Sequence, residues 1–290
     1  MFKSGFINVL KPPGMTSHDV VSFIRRTYGL KKVGHAGTLD PAASGVLPIA
    51  IGSATRLIEY ITDADKSYRT ELTFGYQTDS GDDMGDIIAQ KDDFILPNIE
   101  RLRSVLEQFT GKIEQIPPMH SAIKINGKKL YELARQGKSV EVPSRIVEIS
   151  SLKIINYSQS QLLFDVTCSK GTYIRTLCMD IGEKLDIPAV MSFLIRTRVG
   201  KFNLADALTL EEIATEPDTA LQNVNKVLSF MPGVVLSNKD SLAFCHGQII
   251  KLENIISEKN IAVYNENNYL IGIAGNIGKS LLKPVKVFNF

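Results

Sequence analysis

The chain has 290 residues, 44% hydrophobic and 22% charged, a balance that supports a sizeable buried core and excludes wholesale disorder. With 33 Lys plus Arg against 31 Asp plus Glu, the formal charge is only +2, so a polyanionic partner must be held by a local patch. Cys168, Cys178 and Cys245 form no CxxC pair, which argues against a disulfide framework or a zinc knuckle.

The opening MFKSGFINVLKPPG is broken by Lys, Asn and Pro-Pro before a signal-length apolar run develops, and no stretch reaches the ~18 apolar residues of a membrane span. A cytoplasmic protein is expected. FINVL (6–10) reads as a strand ended by KPPG. Thr16 or Ser17 caps the helix that follows, with Val20, Val21, Phe23, Ile24 and Tyr28 as its apolar stripe and Gly29 at its end. After the loop GHAGTLDPAASG (34–45), VLPIAIG is a buried strand and Ser53 caps the helix ATRLIEYIT. In SYRTELTFG (67–75), Tyr68, Thr70, Leu72 and Phe74 alternate on one face of a half-buried strand. NIERLRSVLEQFTG is an amphipathic helix ending at Gly111, QLLFDVTCS is a strand, and GTYIRTLCMDIGEKL is a helix. Thr209 and Glu212 form a capping box for one more short helix. Beyond Met231, short β-rich runs separated by turn residues suggest a small barrel-like module, with MPG at 231–233 as the boundary. The elements interleave without a βαβ rhythm, so the class is mixed α+β.

Three motifs are set aside. Ser17, His18 and Asp19 adjoin at a helix start, where a catalytic triad cannot converge. GNIGKS (275–280) lacks the first glycine of a phosphate loop and lies among strands. DSGDDMGD (79–86) lacks calcium-loop spacing and reads mostly as a solvated loop, with a part in shaping a site as the alternative.

Asp40 is different. It precedes Pro41, which pushes it away from helical angles and displays its carboxylate, while Gly34, Ala36, Gly37, Ala42, Ala43, Ser44 and Gly45 clear bulk for a large ligand. A tight Asx turn would use the same residues. His35 presents a hydrogen-bonding ring nearby, and Tyr68 opens a strand. Arg175 stands at a helix start, where the macrodipole disfavours a cation by a few tenths of a kcal/mol or more unless an anion offsets it; Asp40 is a candidate anion. The stretch 117–145 carries Lys124, Lys128, Lys129, Arg135, Lys138 and Arg145 against Glu132 and Glu141, with Tyr131 among them, as a phosphate-binding projection would or as a solvated face would.

KPPGMTSHD, GHAGTLDPAASGVLPIAIGSATR, DKSYRTELTFGYQTDSGD, IPPMHSAIKINGKKLYELARQG, CSKGTYIRTLCMDIGEKL and LIRTRVGKF closely resemble, in order and spacing, the bacterial tRNA pseudouridine-55 synthases of the TruB family. The resemblance covers most of residues 5–205 and, more weakly, extends to the family's C-terminal PUA domain. It implies an α+β pseudouridine synthase fold with a central, mostly antiparallel sheet flanked by helices. The catalytic domain would span 1–230, with a thumb insertion at about 117–145, and a PUA-like RNA-binding domain 231–290. It further implies isomerisation of a uridine in the T-arm loop of tRNA, with no cofactor; nothing in the sequence calls for a metal, a membrane partner or more than a monomer. By similarity Asp40 is the essential carboxylate, Tyr68 stacks on the target base, Arg175 pairs with the aspartate, and His35 helps occupy the space left by the extruded base. Tyr173 and Lys11 match positions near the cleft. A non-catalytic RNA-binding protein and an Asp-nucleophile hydrolase remain the alternatives; the latter needs a second positioned acid or a metal set.

Overall fold

The run VLPIAI is apolar throughout because its strand, Ser44–Ile51, is covered on both faces. Val46 and Ala50 enter one cluster with Phe6, Leu57, Val199 and Phe202, whereas Leu47, Ile49 and Ile51 enter another with Val20, Val21 and Ile24. The computed structural model describes residues 4–288 apart from 122, 126, 135, 139, 253–257 and 279; Arg135 of the basic stretch and Lys279 of GNIGKS lie outside the described residues.

The chain begins with β1 (Gly5–Lys11), α1 (Ser17–Tyr28), β2 (Val33–His35) and β3 (Ser44–Ile51), then a 3₁₀ turn (Gly52–Leu57) running into α2 (Ile58–Thr62). Next come β4 (Lys66–Phe74), the hairpin β5 (Tyr76–Thr78) and β6 (Ile87–Gln90), α3 (Ile99–Gln108) and β7 (Gly111–Gln115). A small projection follows, made of β8 (Lys124–Ile125), β9 (Lys128–Lys129) and α4 (Leu130–Ala134). The chain then returns through β10 (Arg145–Ser158), β11 (Gln161–Cys168), α5 (Ile174–Lys184), β12 (Ala189–Val199) and β13 (Phe202–Asn203). After α6 (Leu210–Thr215) and α7 (Val224–Val227), a second sheet is built from β14 (Gly233–Val235), β15 (Ile250–Lys251), β16 (Asn260–Tyr264), β17 (Leu270–Asn276) and β18 (Leu281–Val287), with α8 (Asn238–Cys245) packed on it.

The main sheet runs β1-β3-β12-β4-β11-β10-β7, with β2 on β3 and β13 on β12, nine strands among the described residues. Its pairs are antiparallel except one: Ser44 and Gly45 of β3 lie parallel to Ile195 and Arg196 of β12. Glycine makes that junction possible, because Gly45 has φ +109° and a Cβ there would meet the Arg196 carbonyl oxygen at 2.2 Å. The expected mostly antiparallel sheet flanked by helices is therefore the fold found. In β4 the alternate residues Lys66, Tyr68, Thr70, Leu72 and Phe74 are buried, as their spacing predicts. Leu72 and Phe74 pack in a cluster with Leu102 and Leu106 of α3 and Leu177 and Ile181 of α5.

Of the two expected caps of α1, Thr16 serves, in a reciprocal capping box with Asp19. Other elements depart from expectation. Ser53 caps nothing; the stretch after β3 starts as a 3₁₀ turn, and the Ser53 amide donates to Ser4 Oγ. Gly111, at φ +95°, opens β7 rather than closing α3, whose end is capped at Phe109. SLAFC, in the β-rich stretch, lies in helix α8. The two sheets share one apolar cluster: Ala262, Leu270, Ile273 and Phe288 pack with Phe6, Val46, Ala50 and Val227. Lys286 Nζ also reaches Glu59 Oε1 at 2.6 Å, and Arg56 lies 5.0 Å over the Phe288 ring. Among the described residues no helix is long and apolar enough to cross a membrane.

One partly buried acid makes stability pH-dependent. Burial, with the Glu183 carboxylate adding to it, pushes Asp180 of α5 up to about 6. The folded chain then binds more protons than the unfolded one between about pH 4 and 6, so this stabilisation is full below that window and is lost as pH rises through it. Asp180→Asn is expected to stabilise the fold by about 1–2 kcal/mol at pH 7.5 and by nothing measurable at pH 3.5, read by urea denaturation at the two pH values.

Candidate active site

Asp40 sits in the loop between β2 and β3, and that loop's backbone is held almost residue by residue. Arg196 Nη2 and Nη1 donate to the carbonyls of Gly37 (3.0 Å) and Thr38 (3.2 Å), and its Nε to Val46 (2.8 Å). Ser17 Oγ donates to the Leu39 carbonyl at 3.0 Å and accepts from the Leu39 amide at 2.8 Å. The Asp40 carbonyl accepts from the Ala43 amide, and that of Pro41 from the Gly14 amide. Lys11 Nζ, fully buried, donates to Pro12 (2.8 Å), Pro41 (3.2 Å) and Ala43 (2.6 Å). Every carbonyl from Gly37 to Pro41 thus accepts a hydrogen bond, so the loop backbone is fixed while the Asp40 side chain stays partly exposed. Burial pushes the Lys11 ammonium down to about 8, with the Asp40 carboxylate pulling it back up.

Arg175 is the second residue of α5, a helix with no acid in its first turn and no side-chain cap. The offsetting anion comes from elsewhere in the chain. Arg175 Nε lies 3.1 Å from Asp40 Oδ2, the arginine side chain 5% exposed and the carboxylate 37%. Its other two nitrogens donate to the carbonyls of Ser80 (2.8 Å) and His120 (2.9 Å). One buried guanidinium therefore ties the Asp40 loop, the 79–86 loop and the root of the basic projection together.

The 79–86 loop is not simply solvated. Thr78, Ser80 and Asp82 are buried, the Gly81 carbonyl accepts from the Met191 amide of β12, and Asp82 Oδ2 stands 3.9 Å from Arg175 Nε. Asp82 Oδ1 is occupied by Ser80 Oγ (2.6 Å) and the Met84 amide (3.1 Å). Turn-forming side chains fold this acidic run inward.

Tyr68 lies on β4 directly across from Arg196 of β12. Burial raises its hydroxyl above the ordinary tyrosine value, and the adjacent Arg196 guanidinium opposes that rise. His35 ends β2, opposite Ile49. Burial, then the charges of Arg196 and His18, lower its pKa, so the ring is neutral at pH 7; its Nδ1 has no hydrogen-bond partner among the described residues. Tyr173 stands apart from these contacts. It exchanges two backbone bonds with the Gln115 side chain, and Arg145 lies 4.7 Å over its ring. In the basic projection Lys124, Lys128 and Lys138 are exposed, and Lys129 lies 5.2 Å over the Tyr131 ring.

Asp40, Arg175 and Lys11 are thus joined around one loop, with Tyr68 adjoining Arg196, which holds that loop, and His35 in the strand that leads into it. Sequence reasoning passed over Arg196, Ser17, Ser80 and Asp82. For Arg196 a signal existed: in FLIRTRV it falls in phase with Leu194, on the buried face of the strand.

Comparison with known proteins points the same way. A family model described as TruB family pseudouridylate synthase, N-terminal domain, matches residues 25–174, and one described as tRNA pseudouridylate synthase B C-terminal domain matches 175–228. The chain is 47% identical to tRNA pseudouridine synthase B of Caldanaerobacter subterraneus subsp. tengcongensis, over 99% of this chain and all of that one. It is 51% identical to the protein of that name in Moorella thermoacetica, with 98% of each covered. Its fold is similar to a chain in the structure of an H/ACA RNP bound to a substrate RNA containing 2′-deoxyuridine, with a TM-score of 0.76, 26% identity, and 99% of this chain and 85% of that one covered. A chain of a Cbf5–Nop10–Gar1 complex gives 0.73 and 27%, with 98% and 83% covered. Matched family models across most of its length, and relatives near half identical from end to end, leave one conclusion: this chain belongs to the TruB family of pseudouridylate synthases.

Proposed function

We propose that the protein isomerises the uridine at position 55, in the T-arm loop of tRNA, to pseudouridine in the cytoplasm, acting as a monomer through Asp40. The observation that carries this reading is the 3.1 Å Asp40–Arg175 pair on a loop cleared of bulk, with the carboxylate side still open to a ligand. The names of the relatives support tRNA as the substrate, and the sequence resemblance supports the T-arm position.

In the reaction the C1′–N1 bond of uridine breaks, the uracil turns, and a C1′–C5 bond forms; the proton on C5 leaves and N1 gains one. Asp40 acts on the nucleotide as an ionised carboxylate, either by attack or by assisting a glycal intermediate. Arg175 orients it by a charge-assisted contact as the site closes around the base. The target base must first be extruded, at a cost of a few kcal/mol, and stacking on Tyr68, worth roughly 1–3 kcal/mol, offsets part of it. His35, neutral, fills part of the space the base leaves. Tyr173 and Lys11 complete the cleft, the 117–145 projection closes over the RNA as a thumb, and residues 231–290 serve as a PUA-like RNA-binding domain appended to a catalytic domain over 1–230.

The test is tritium release from an unmodified tRNA transcript carrying [5-³H]uridine, with no added cofactor and with the product nucleosides analysed. Stoichiometric release with pseudouridine at position 55 is expected. Release of free uracil would instead favour a glycoside hydrolase, and tRNA binding without release a non-catalytic RNA-binding protein.

A further inference from the structure

We infer that Arg196 is a positioning residue for the isomerisation, holding Asp40 and Tyr68 in one arrangement without itself contacting RNA. The inference rests on Asp40 being the acting carboxylate. Arg196 is 1% exposed and has no carboxylate within ion-pair distance among the described residues. A buried cation without a paired anion is costly, so the fold must obtain something specific from its shape. What it obtains is a planar fork of donors aimed at three carbonyls: Gly37 and Thr38 at the entry to the Asp40 loop, and Val46 at its exit on β3. The same guanidinium adjoins the Tyr68 hydroxyl.

Geometry at Gly37 reinforces this. It adopts φ +108°, and a Cβ there would lie 3.7 Å from Arg196 Nη1, so the loop backbone lies directly on the fork. Main-chain hydrogen bonds on both sides of the loop, and register with Tyr68 across the sheet, link the two groups that must meet the nucleotide, one from the loop and one from β4. A lysine retains the charge yet cannot reproduce three in-plane donors.

Arg196→Lys and Arg196→Met are each expected to lower the single-turnover rate of tritium release from [5-³H]uridine tRNA by at least 50-fold. Affinity for the same tRNA, read by filter binding, should stay within threefold. Gly37→Ala, which leaves the guanidinium in place but strains the carbonyl it holds, should show the same separation of rate from affinity. Circular dichroism of each variant gives the folded fraction, by which rates are normalised. The inference is overturned by wild-type-like normalised rates in Arg196→Lys, or by affinity falling as far as rate, which would make Arg196 an RNA contact. Wild type and Asp40→Asn are run alongside. Release by both would sink the Asp40 reading itself, whereas wild-type release lost in Asp40→Asn but unchanged at Arg196 would sink only this inference.

Discussion

Asp40→Asn is expected to lower single-turnover pseudouridine formation by on the order of 10⁴-fold or more, the scale seen when the one reacting group of a site is removed, with tRNA affinity changed only a few-fold. The substitution is nearly isosteric, and the loop does not depend on the carboxylate for its shape. Its carbonyls are held by Arg196, Ser17, Lys11 and the amides of Ala43 and Gly14. Arg175 retains two carbonyl acceptors and the nearby Asp82. A loss of stability of about 1–2 kcal/mol is expected from weakening a charge-assisted contact at a partly exposed site. Chemical quench of the tRNA reaction measures the rate and filter binding the affinity. Substantial turnover by Asp40→Asn would mean that another group performs the chemistry.

Arg175→Lys carries the second large effect, although it preserves charge. The guanidinium serves three acceptors on three chain segments: the Asp40 carboxylate, the Ser80 carbonyl and the His120 carbonyl. A lysine ammonium is a point charge on a flexible stem and cannot span that fork. Leaving two buried carbonyls and a misplaced cation is expected to destabilise the fold by about 3 kcal/mol. Turnover should fall by roughly 10²–10³, the cost of removing one preorganised donor from a charged reacting centre. Urea denaturation and single-turnover rates measured on the same preparation separate the two effects. Retention of both would show that positive charge alone, wherever it sits, suffices there.

Local physics made much of this fold legible. Alternation in β4, the Thr209–Glu212 box and the left-handed Gly29 all follow from spacing a few residues wide. Arg175 was legible for the same reason, since a cation in a helix's first turn asks for an anion and Asp40 provides it. What escaped depends on residues far apart in the chain. Ser17 reads as a helix cap until Leu39, 22 positions on, occupies its hydroxyl. Arg196 resembles an ordinary basic residue until the parallel contact with Gly45 turns it beneath the loop. Asp82 looks solvated because the neighbouring charges are, and only the inward fold of Thr78 and Ser80 carries it to Arg175. The helix α8 was hidden because apolar β-rich runs flank it on both sides.

The apolar cluster common to the two sheets has a consequence for the proposed choice of RNA. Val46 lies in the strand that leaves the Asp40 loop, and it shares that cluster with Leu270 and Ile273 of the second sheet. The span between the two is set by close-packed side chains, which resist being stretched or compressed, and not by the slack of a linker. On the proposed reading, in which the second sheet holds RNA and Asp40 acts on the nucleotide, this acts as a caliper: the distance from the held segment to the reacting nucleotide becomes a criterion of fit, so that selection among RNAs operates on length and curvature before any base is read.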